Sequence, residues 1–187
     1  MAKLKDREEI IDAAIYIIAF QGLDKLTMQS LAEELGLNKA SLYHWYKSKE
    51  DILEDVFIRG HKRLMAKGFR LELEGSAEEV LKRAAARWRS IFSSEDVLPY
   101  LRAIYSLRYS DERAEEEARA LTLMIKSQIV VIMSALGHSD QLLSSLFSSL
   151  LLQHLEAVLY GEEEDFERDA ASFAKLLEGN HCKKGIW

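Results

Sequence analysis

Residues 27–49, TMQSLAEELGLNKASLYHWYKSK, decide the fold of this chain. Thr27 is a suitable N-cap for a helix, Gly36 permits a sharp turn, and Asn38 can cap a second short helix that continues to about Trp45. Two short helices joined in this way are typical of a helix-turn-helix, whose second helix enters the major groove of DNA. The stretch therefore indicates a DNA-reading element near the N-terminus.

Helix signals precede and follow this stretch. Asp6 opens a first helix, which Gly22 ends and in which isoleucines recur at helical spacing. Ser48 is a good cap for a fourth helix, with Asp51 at its third position, and we expect that helix to continue to about Glu74. The first three helices would form a head of residues 1–47, which leads into the longer connecting helix.

The rest of the chain keeps the helical periodicity and the cap-like starts. Further helices are predicted at residues 76–92, 95–109, 110–136, 139–160 and 163–178. The chain is thus predicted to be all-α, with about nine helices. A helical body of residues 48–178, for ligand binding and dimerisation, would follow the head, and residues 179–187 would form a flexible tail.

The composition limits the compartment and the mode of DNA contact. The net charge is −6, whereas proteins that coat nucleic acid are usually basic, so DNA contacts must be local. The single cysteine, Cys182, excludes an internal disulfide and fits a reducing cytoplasm. No signal peptide is recognisable, and no uncharged apolar run reaches the ~20 residues that span a bilayer. We therefore expect a cytoplasmic protein with no membrane partner.

Position on the second short helix predicts which side chains could meet DNA. Lys39 and Ser41 lie near its start, where side chains reach base edges. Thr27, Tyr43 and Lys49 are better suited to phosphate, through hydroxyl or ammonium groups. The start of the fourth helix adds backbone N–H groups and a positive dipole end that also suit phosphate.

Residues 7–57 resemble the N-terminal domain of the TetR family of transcriptional regulators. The resemblance rests on the threonine before the second helix and on the motifs LAEELGL, SLYH and KSKE, all within residues 27–50. It implies phosphate contacts at Thr27, Tyr43 and Lys49. It implies base-reading positions at Gln29, Lys39, Ala40, Ser41 and His44. Trp45 and Tyr46 are expected to serve packing.

An uncharged run, QLLSSLFSSLLLQHL at residues 141–155, stands out in a chain that is 30% charged. A helix that carries no charge on any side is buried on more than one side, either centrally in a monomer or between its own subunit and a partner. The family resemblance favours a homodimer joined through this helix and the last one. The predicted dimerisation residues are Leu143, Phe147, Leu150, Leu151, Leu155, Phe166 and Phe173.

The middle of the body is rich in aromatic side chains that could line a cavity for a small molecule. The candidate ligand-binding residues are Trp88, Phe92, Tyr100, Tyr105, Tyr109, Met124, Gln128 and His154. For each of them alone, a place in the ordinary core is the competing interpretation. Four arginines, Arg87, Arg89, Arg102 and Arg108, leave open an anionic ligand.

The sequence offers no support for cofactor, metal or catalytic chemistry. The histidines are scattered, and no His-x-x-x-His or Cys-x-x-Cys pair exists. No phosphate-binding glycine loop, nucleophile elbow or triad is recognisable. We therefore expect neither a metal site nor a cofactor, and a helical enzyme that uses His154 has no supporting motif.

Two functional interpretations follow from these patterns. The first is a ligand-responsive, dimeric regulator, a repressor that a small-molecule effector releases from a palindromic operator in double-stranded DNA. The alternative is an all-helical binding or scaffold protein in which the helix-turn-helix is only a packing motif.

Overall fold

The computed structural model describes residues 6–68, 70–162 and 164–181, with the side chains of all of these except 180 and 181. In these ranges nine α-helices and a 3₁₀ turn at Leu23–Lys25 form the regular structure, and none of the described residues lies in a strand. The helices are α1 (Arg7–Gln21), α2 (Met28–Glu34), α3 (Lys39–Trp45), α4 (Lys49–Ala66), α5 (Ala77–Phe92), α6 (Leu98–Leu107), α7 (Glu112–Ala135), α8 (Gln141–Tyr160) and α9 (Phe166–His181). The all-α prediction is confirmed. The predicted tail lies outside the described residues from residue 182 onward.

Side-chain caps form the predicted starts of the first four helices. At the start of α1, the backbone N–H of Glu9 donates to the Asp6 carboxylate at 2.9 Å. Thr27 and Ser48 each close a capping box, and Asn38 caps α3. Each cap satisfies an N–H group that has no partner within its own helix, which is worth about 1 kcal/mol.

The turn between α2 and α3 is a Schellman motif. The N–H of Leu37 donates to the carbonyl of Ala32 at 2.8 Å, and the N–H of Gly36 donates to that of Glu33 at 3.0 Å. Gly36 has a φ of +63°, a conformation that glycine adopts without a steric penalty because it has no Cβ. The sequence-based placement of this turn is therefore confirmed.

The end of α4 differs from the prediction. The helix stops at Ala66, whereas the sequence pattern predicted continuation to about Glu74. The guanidinium of Arg87 donates to the carbonyl of Gly68 at 2.7 Å, and Arg83 donates to two further carbonyls in the segment that follows. These arginines of α5 satisfy backbone groups that a longer α4 would have bonded internally.

The five later helices all start beyond their predicted first residues, and the cause is visible for α8 and α9. Asp140 caps α8 by accepting from the N–H of Leu142 at 2.8 Å, so that helix begins two residues later than expected. Helix α9 begins at Phe166 because the preceding Asp165 accepts from the N–H of Arg168 at 2.9 Å. Helix α9 also continues three residues beyond the predicted end, to residue 181.

The described chain forms two compact units. The first contains the residues up to 67 together with 95–118, and the second contains 68–94 together with the residues from 119 onward. Each unit is a set of residues that pack together. The predicted head of residues 1–47, body of residues 48–178 and tail are divided by function instead, and this division stays a prediction.

In the first unit, α1 packs against α4 and α6. Glu8 pairs with both Arg59 and Arg63 of α4, and Asp12 pairs with Arg63. Such partly exposed pairs contribute little each, whereas the buried isoleucines of α1 supply most of the stabilisation. These contacts hold α4 against α1 over several turns.

In the second unit, α5 packs along α9 and also contacts α8. The rings of Phe147 and Phe173 lie 4.9 Å apart, centroid to centroid, and join α8 to α9. His154 of α8 is buried with its ring centroid 3.8 Å from that of Phe166. These aromatic contacts place one side of the uncharged helix inside its own unit.

Helices α7 and α8 are long and apolar enough to cross a membrane by length and composition alone, with a mean hydropathy of 1.4 each. Their apolar windows are 33% and 39% buried in the structure. The core helices of soluble proteins share these properties, so length and hydropathy carry no membrane assignment here.

Candidate nucleic-acid interface

Helix α3 presents one face to solvent and the opposite face to the core. Leu42 is fully buried and holds the helix against the head. The exposed side chains are those of Lys39, Ala40, Tyr43 and His44. Residues three or four positions apart share a face of a helix, so these four form one surface, which we call the reading face.

The reading face carries a positive charge at the start of α3. The Lys39 ammonium lies 5.8 Å from the centroid of the Tyr43 ring, within the range of a cation–π contact. The N-terminus of a helix adds a partial positive charge. Both features favour contact with an anionic surface at this end of the helix.

Ser41 faces inward more than predicted. It is half-buried, and its hydroxyl donates to Asn38 Oδ1 at 2.9 Å while its backbone N–H donates to the same oxygen at 2.7 Å. These bonds fix the first turn of α3. The hydroxyl oxygen keeps lone pairs that can accept from a base edge, so base reading by Ser41 stays a prediction.

The two predicted contacts on α2 are exposed, and each has a polar neighbour. Thr27 Oγ1 accepts from the N–H of Ser30 at 3.0 Å as part of the capping box. Gln29 Nε2 donates to Glu33 Oε1 at 2.6 Å. Both side chains are exposed, so they could also be reached by DNA.

Lys49 has a structural contact that the sequence did not reveal. Its ammonium donates to the carbonyl of Leu23 at 2.8 Å and is half-buried. The bond ties the start of α4 to the 3₁₀ turn after α1. An ammonium has three N–H donors, so a phosphate contact is still possible and stays a prediction.

A carboxylate occupies the start of α4, where phosphate binding was expected. Asp51 accepts from the N–H groups of Lys47 at 3.0 Å and Ser48 at 3.2 Å. This capping box satisfies orphan N–H groups and places a negative charge at the helix end. That charge opposes an approaching phosphate, so this helix start is a weaker anion site than the sequence suggested.

The carboxylate of Glu50, which precedes Asp51 in α4, is paired with a cation. The guanidinium of Arg113 lies 2.7 Å from Glu50 and 2.7 Å from Asp111, and it stacks over the Phe57 ring. Hydrogen bonding from Arg113 lowers the pKa of Asp111, and the same bond raises the pKa of Arg113. Both groups therefore stay charged at neutral pH.

The tyrosine that follows the recognition helix serves packing, as predicted. Tyr46 is buried, its hydroxyl donates to Asp55 at 2.5 Å, and the Arg7 guanidinium lies 5.1 Å from its ring centroid. Burial, followed by the hydrogen bond to Asp55, raises the pKa of Tyr46. Trp45 beside it is half-buried.

The candidate ligand-binding residues are divided between the two units. Those in the first unit are Tyr100, Tyr105 and Tyr109. Those in the second unit are Trp88, Phe92, Met124, Gln128 and His154. Tyr109 is 87% exposed, whereas Trp88 and Phe92 are buried. Of the second-unit residues, Gln128 lines a cleft.

His154 forms a structural contact between helices. Its Nδ1 lies 2.7 Å from the carboxylate of Glu164, and its Nε2 lies 3.2 Å from that of Asp169. With Phe166 stacked on the ring, the imidazole joins α8 to the start of α9. Among the described residues, no group of three His, Cys, Asp or Glu side chains could hold a metal ion.

Most of the predicted dimerisation residues pack inside their own unit. The buried ones are Phe147, Leu151, Leu155, Phe166 and Phe173, and the half-buried ones are Leu143 and Leu150. The large apolar side chains that α8 and α9 expose instead are Leu142, Leu146, Tyr160 and Leu176. None of them is among the predicted dimerisation residues, because apolar periodicity does not tell which side faces the chain's own core.

The exposed reading face on a capped recognition helix defines a helix-turn-helix DNA-binding protein. Residues 10–56 match the family described as bacterial regulatory proteins, tetR family. The HTH-type transcriptional regulator BetI of Rhizobium meliloti (strain 1021) is 28% identical over 145 residues, which cover 72% of this chain and 67% of BetI. The tetracycline repressor protein class D of Escherichia coli is 31% identical over 111 residues, 59% of this chain and 44% of the repressor.

A solved structure shares the fold over almost the whole chain. The TetR family regulator PfmR from Thermus thermophilus superposes with a TM-score of 0.65 and 24% identity, covering 92% of this chain and 95% of PfmR. Residues 10–56 therefore form a DNA-binding domain of the TetR family, and the described chain has the fold of a TetR family regulator. The expectation of a regulator rather than an enzyme is confirmed by these relatives.

Proposed function

We propose that the protein is a dimeric, ligand-responsive transcriptional repressor that acts in the cytoplasm. Two copies of the reading face would bind a palindromic operator, and a small molecule would release them. The observation that carries the proposal is the reading face itself: Lys39, Ala40, Tyr43 and His44 are exposed together on a helix that Leu42 anchors from behind.

A dimer overcomes the weak charge of a single head. The net charge of the chain is −6, so one reading face with few cations would bind DNA weakly. Two faces about 34 Å apart would meet the same side of the double helix and gain through linkage. Leu142, Leu146 and Leu176, exposed to 65%, 51% and 62%, offer an apolar surface for the second copy.

Ligand control requires that the effector bind one conformation better than another. An effector with higher affinity for the DNA-free state would shift the population away from the operator. The tetracycline repressor protein class D of Escherichia coli is a repressor by name, and this chain shares 31% identity with it over 111 residues. This relation supports repression as the sign of regulation.

The proposal is tested by binding to the DNA that flanks the protein's own coding region. In a fluorescence anisotropy titration at low salt and without ligand, one labelled duplex from this region is expected to bind the protein. Footprinting then locates the protected site within it. Lys39→Ala should reduce discrimination between that site and a scrambled duplex. Tyr43→Phe should weaken binding to both duplexes and leave the salt slope unchanged, because the lost hydroxyl contact to phosphate carries no charge.

A matched control variant removes one positive charge at a residue outside the head. Lys126 is exposed on α7, so Lys126→Ala removes one positive charge without touching the reading face. Its affinity and discrimination should equal those of the unmodified protein. If no duplex is protected, or if Lys39→Ala and Tyr43→Phe behave like the control, the motif serves packing only and the proposal is wrong.

A further inference from the structure

A cleft in the second unit has a chemistry that specifies its occupant. It encloses about 260 Å³ between α7 and the non-helical segment that follows α4. The residues that line it are Leu71, Leu73, Ser127, Gln128, Val131 and Ile132. None of these lining side chains is charged, and four of the six are aliphatic.

Among the described residues that line the cleft, Gln128 has a buried side-chain oxygen without a partner. The Ser127 hydroxyl is used within α7, since it donates to the carbonyl of Leu123 at 2.9 Å. Gln128 Oε1 is buried, and no described residue donates a hydrogen bond to it. A buried acceptor without a donor is unfavourable, so a molecule that brings a donor to this oxygen gains by satisfying it.

One wall of the cleft lies outside the helices. Leu71 and Leu73 belong to the segment after α4, which side chains rather than regular structure hold in place. Arg87 donates to the carbonyl of Gly68 at 2.7 Å, and Arg83 donates to two carbonyls further along. Leu71 and Leu73 thus contribute to the cleft from a segment that belongs to no helix.

The surrounding charges argue against an anionic occupant. Arg87 is engaged with the backbone of Gly68, and Arg89 pairs with Glu167 at 2.7 Å. A carboxylate buried among the lining residues would lose its hydration and find no cation in the lining. The possibility of an anionic ligand that the arginines left open from the sequence is therefore not supported at this cleft.

We propose that this cleft binds a small, uncharged, mainly apolar molecule with one hydroxyl or N–H group that donates to Gln128 Oε1. By comparison with a dry cavity of about 150 Å³ that holds benzene, the occupant has roughly ten non-hydrogen atoms. The inference rests on the proposed ligand-responsive function, because it names the chemical class of the effector.

Three probes of similar size test the chemistry directly. Benzyl alcohol has the apolar body and the donor, ethylbenzene has the body alone, and benzoate carries a charge. In a DNA-free titration followed by methyl NMR, benzyl alcohol should shift the signals of Leu71, Leu73 and Val131 at the lowest concentration. Ethylbenzene should bind roughly threefold to tenfold more weakly, the effect of one net hydrogen bond, and benzoate should leave these signals unchanged.

Two neighbouring valines provide a matched pair of variants. Val131 lines the cleft and is 59% exposed, whereas Val130 lies outside the lining and is 53% exposed. Val131→Phe should fill the cleft and lower the affinity for benzyl alcohol at least tenfold, while Val130→Phe should leave it unchanged. Gln128→Leu should remove the preference for benzyl alcohol over ethylbenzene.

The outcomes separate this proposal from the DNA-binding function. If benzyl alcohol shifts none of the lining methyl groups, or if Val131→Phe and Val130→Phe bind it equally, the cleft is not the site. If Gln128→Leu keeps the preference for the alcohol, the assigned hydrogen bond is wrong. Lys39→Ala must leave the titration unchanged, so a failure of DNA binding does not imitate a failure of the cleft.

Discussion

Gly60 is the position where a single added carbon should do most damage to the first unit. It is buried in α4 against the ring of Tyr100 from α6. A Cβ built on Gly60 would lie 2.6 Å from Cγ of that ring, and closer still to Cδ2 and Cε2. The ring itself is fully buried, so it has no free space into which to move.

Two opposing effects set the magnitude for Gly60→Ala. In an open helix, replacing glycine by alanine stabilises by about 1 kcal/mol. Overpacking of a well-packed core costs about 1–3 kcal/mol, and the deep overlap with a fixed ring places this site at the upper end. The net expectation is a loss of about 2 kcal/mol, which for a chain of this size lowers Tm by roughly 4–8 °C.

The assay is urea and thermal unfolding at a fixed protein concentration, because the proposed dimerisation would make Tm concentration-dependent. Gly179→Ala is the matched control: Gly179 lies in α9, and an added Cβ there meets nothing within 4 Å. That variant should be unchanged or more stable. If Gly60→Ala is as stable as Gly179→Ala, the inference that Gly60 packs closely against the Tyr100 ring is wrong.

A second substitution tests the cause of the loss. Tyr100→Leu removes the ring that the new methyl group would strike, so the double variant should lose less than the sum of the two single losses. Additive losses would show that the methyl group acts through something other than the ring.

Four further predictions follow from single contacts. Burial and a hydrogen bond raise the pKa of Tyr46, so its contribution to stability is complete below about pH 10 and is lost progressively above it. Tyr46→Phe should therefore flatten the alkaline fall in the free energy of unfolding. An unchanged fall from pH 8 to 11 would contradict this. Asn38→Ala removes the cap of α3 and should lower the unfolding free energy by about 1 kcal/mol, with operator affinity falling as well; a denaturation curve that does not shift would exclude the cap. Leu146→Glu puts a charge on the exposed side of α8 and should yield monomers in sedimentation equilibrium with helicity retained; dimers at the original strength would place the interface elsewhere. Lys49→Ala breaks the bond to Leu23 and should lower both Tm and DNA affinity, whereas a change in affinity alone would assign it to phosphate.

The helix-turn-helix could be predicted closely because its determinants are local. Thr27, Asn38 and Ser48 cap helices through backbone groups three residues away, and Gly36 turns the chain within one Schellman motif. Each of these signals needs only the residues beside it. The exposure of Lys39, Tyr43 and His44 on α3 is local in the same way, since helical periodicity separates Leu42 from the reading face, and their DNA contacts stay predictions.

The end of α4 could not be predicted because its cause is distant in the sequence. Arg83 and Arg87 bind carbonyls that lie up to 19 residues earlier, and no local pattern announces those bonds. Leu71 and Leu73 therefore looked like helix residues and were missed as cleft walls. The burial of the aromatic candidates could not be predicted either, because pattern alone cannot distinguish a buried Trp88 from an exposed Tyr109, and ligand binding by this set stays a prediction.

The uncharged helix shows how one composition serves two environments. A helix with one buried side and one hydrated side normally carries charges on the hydrated side. On α8, Phe147 and Leu151 pack into the chain's own unit, yet the other side carries Leu142 and Leu146 together with serines, and no formal charge occurs in residues 141–155. In a monomer, leucines exposed to water are unfavourable, and charged residues at the same positions would avoid this cost. The proposed dimer would cover these leucines with a second apolar surface, and its twofold symmetry would present two reading faces to one operator.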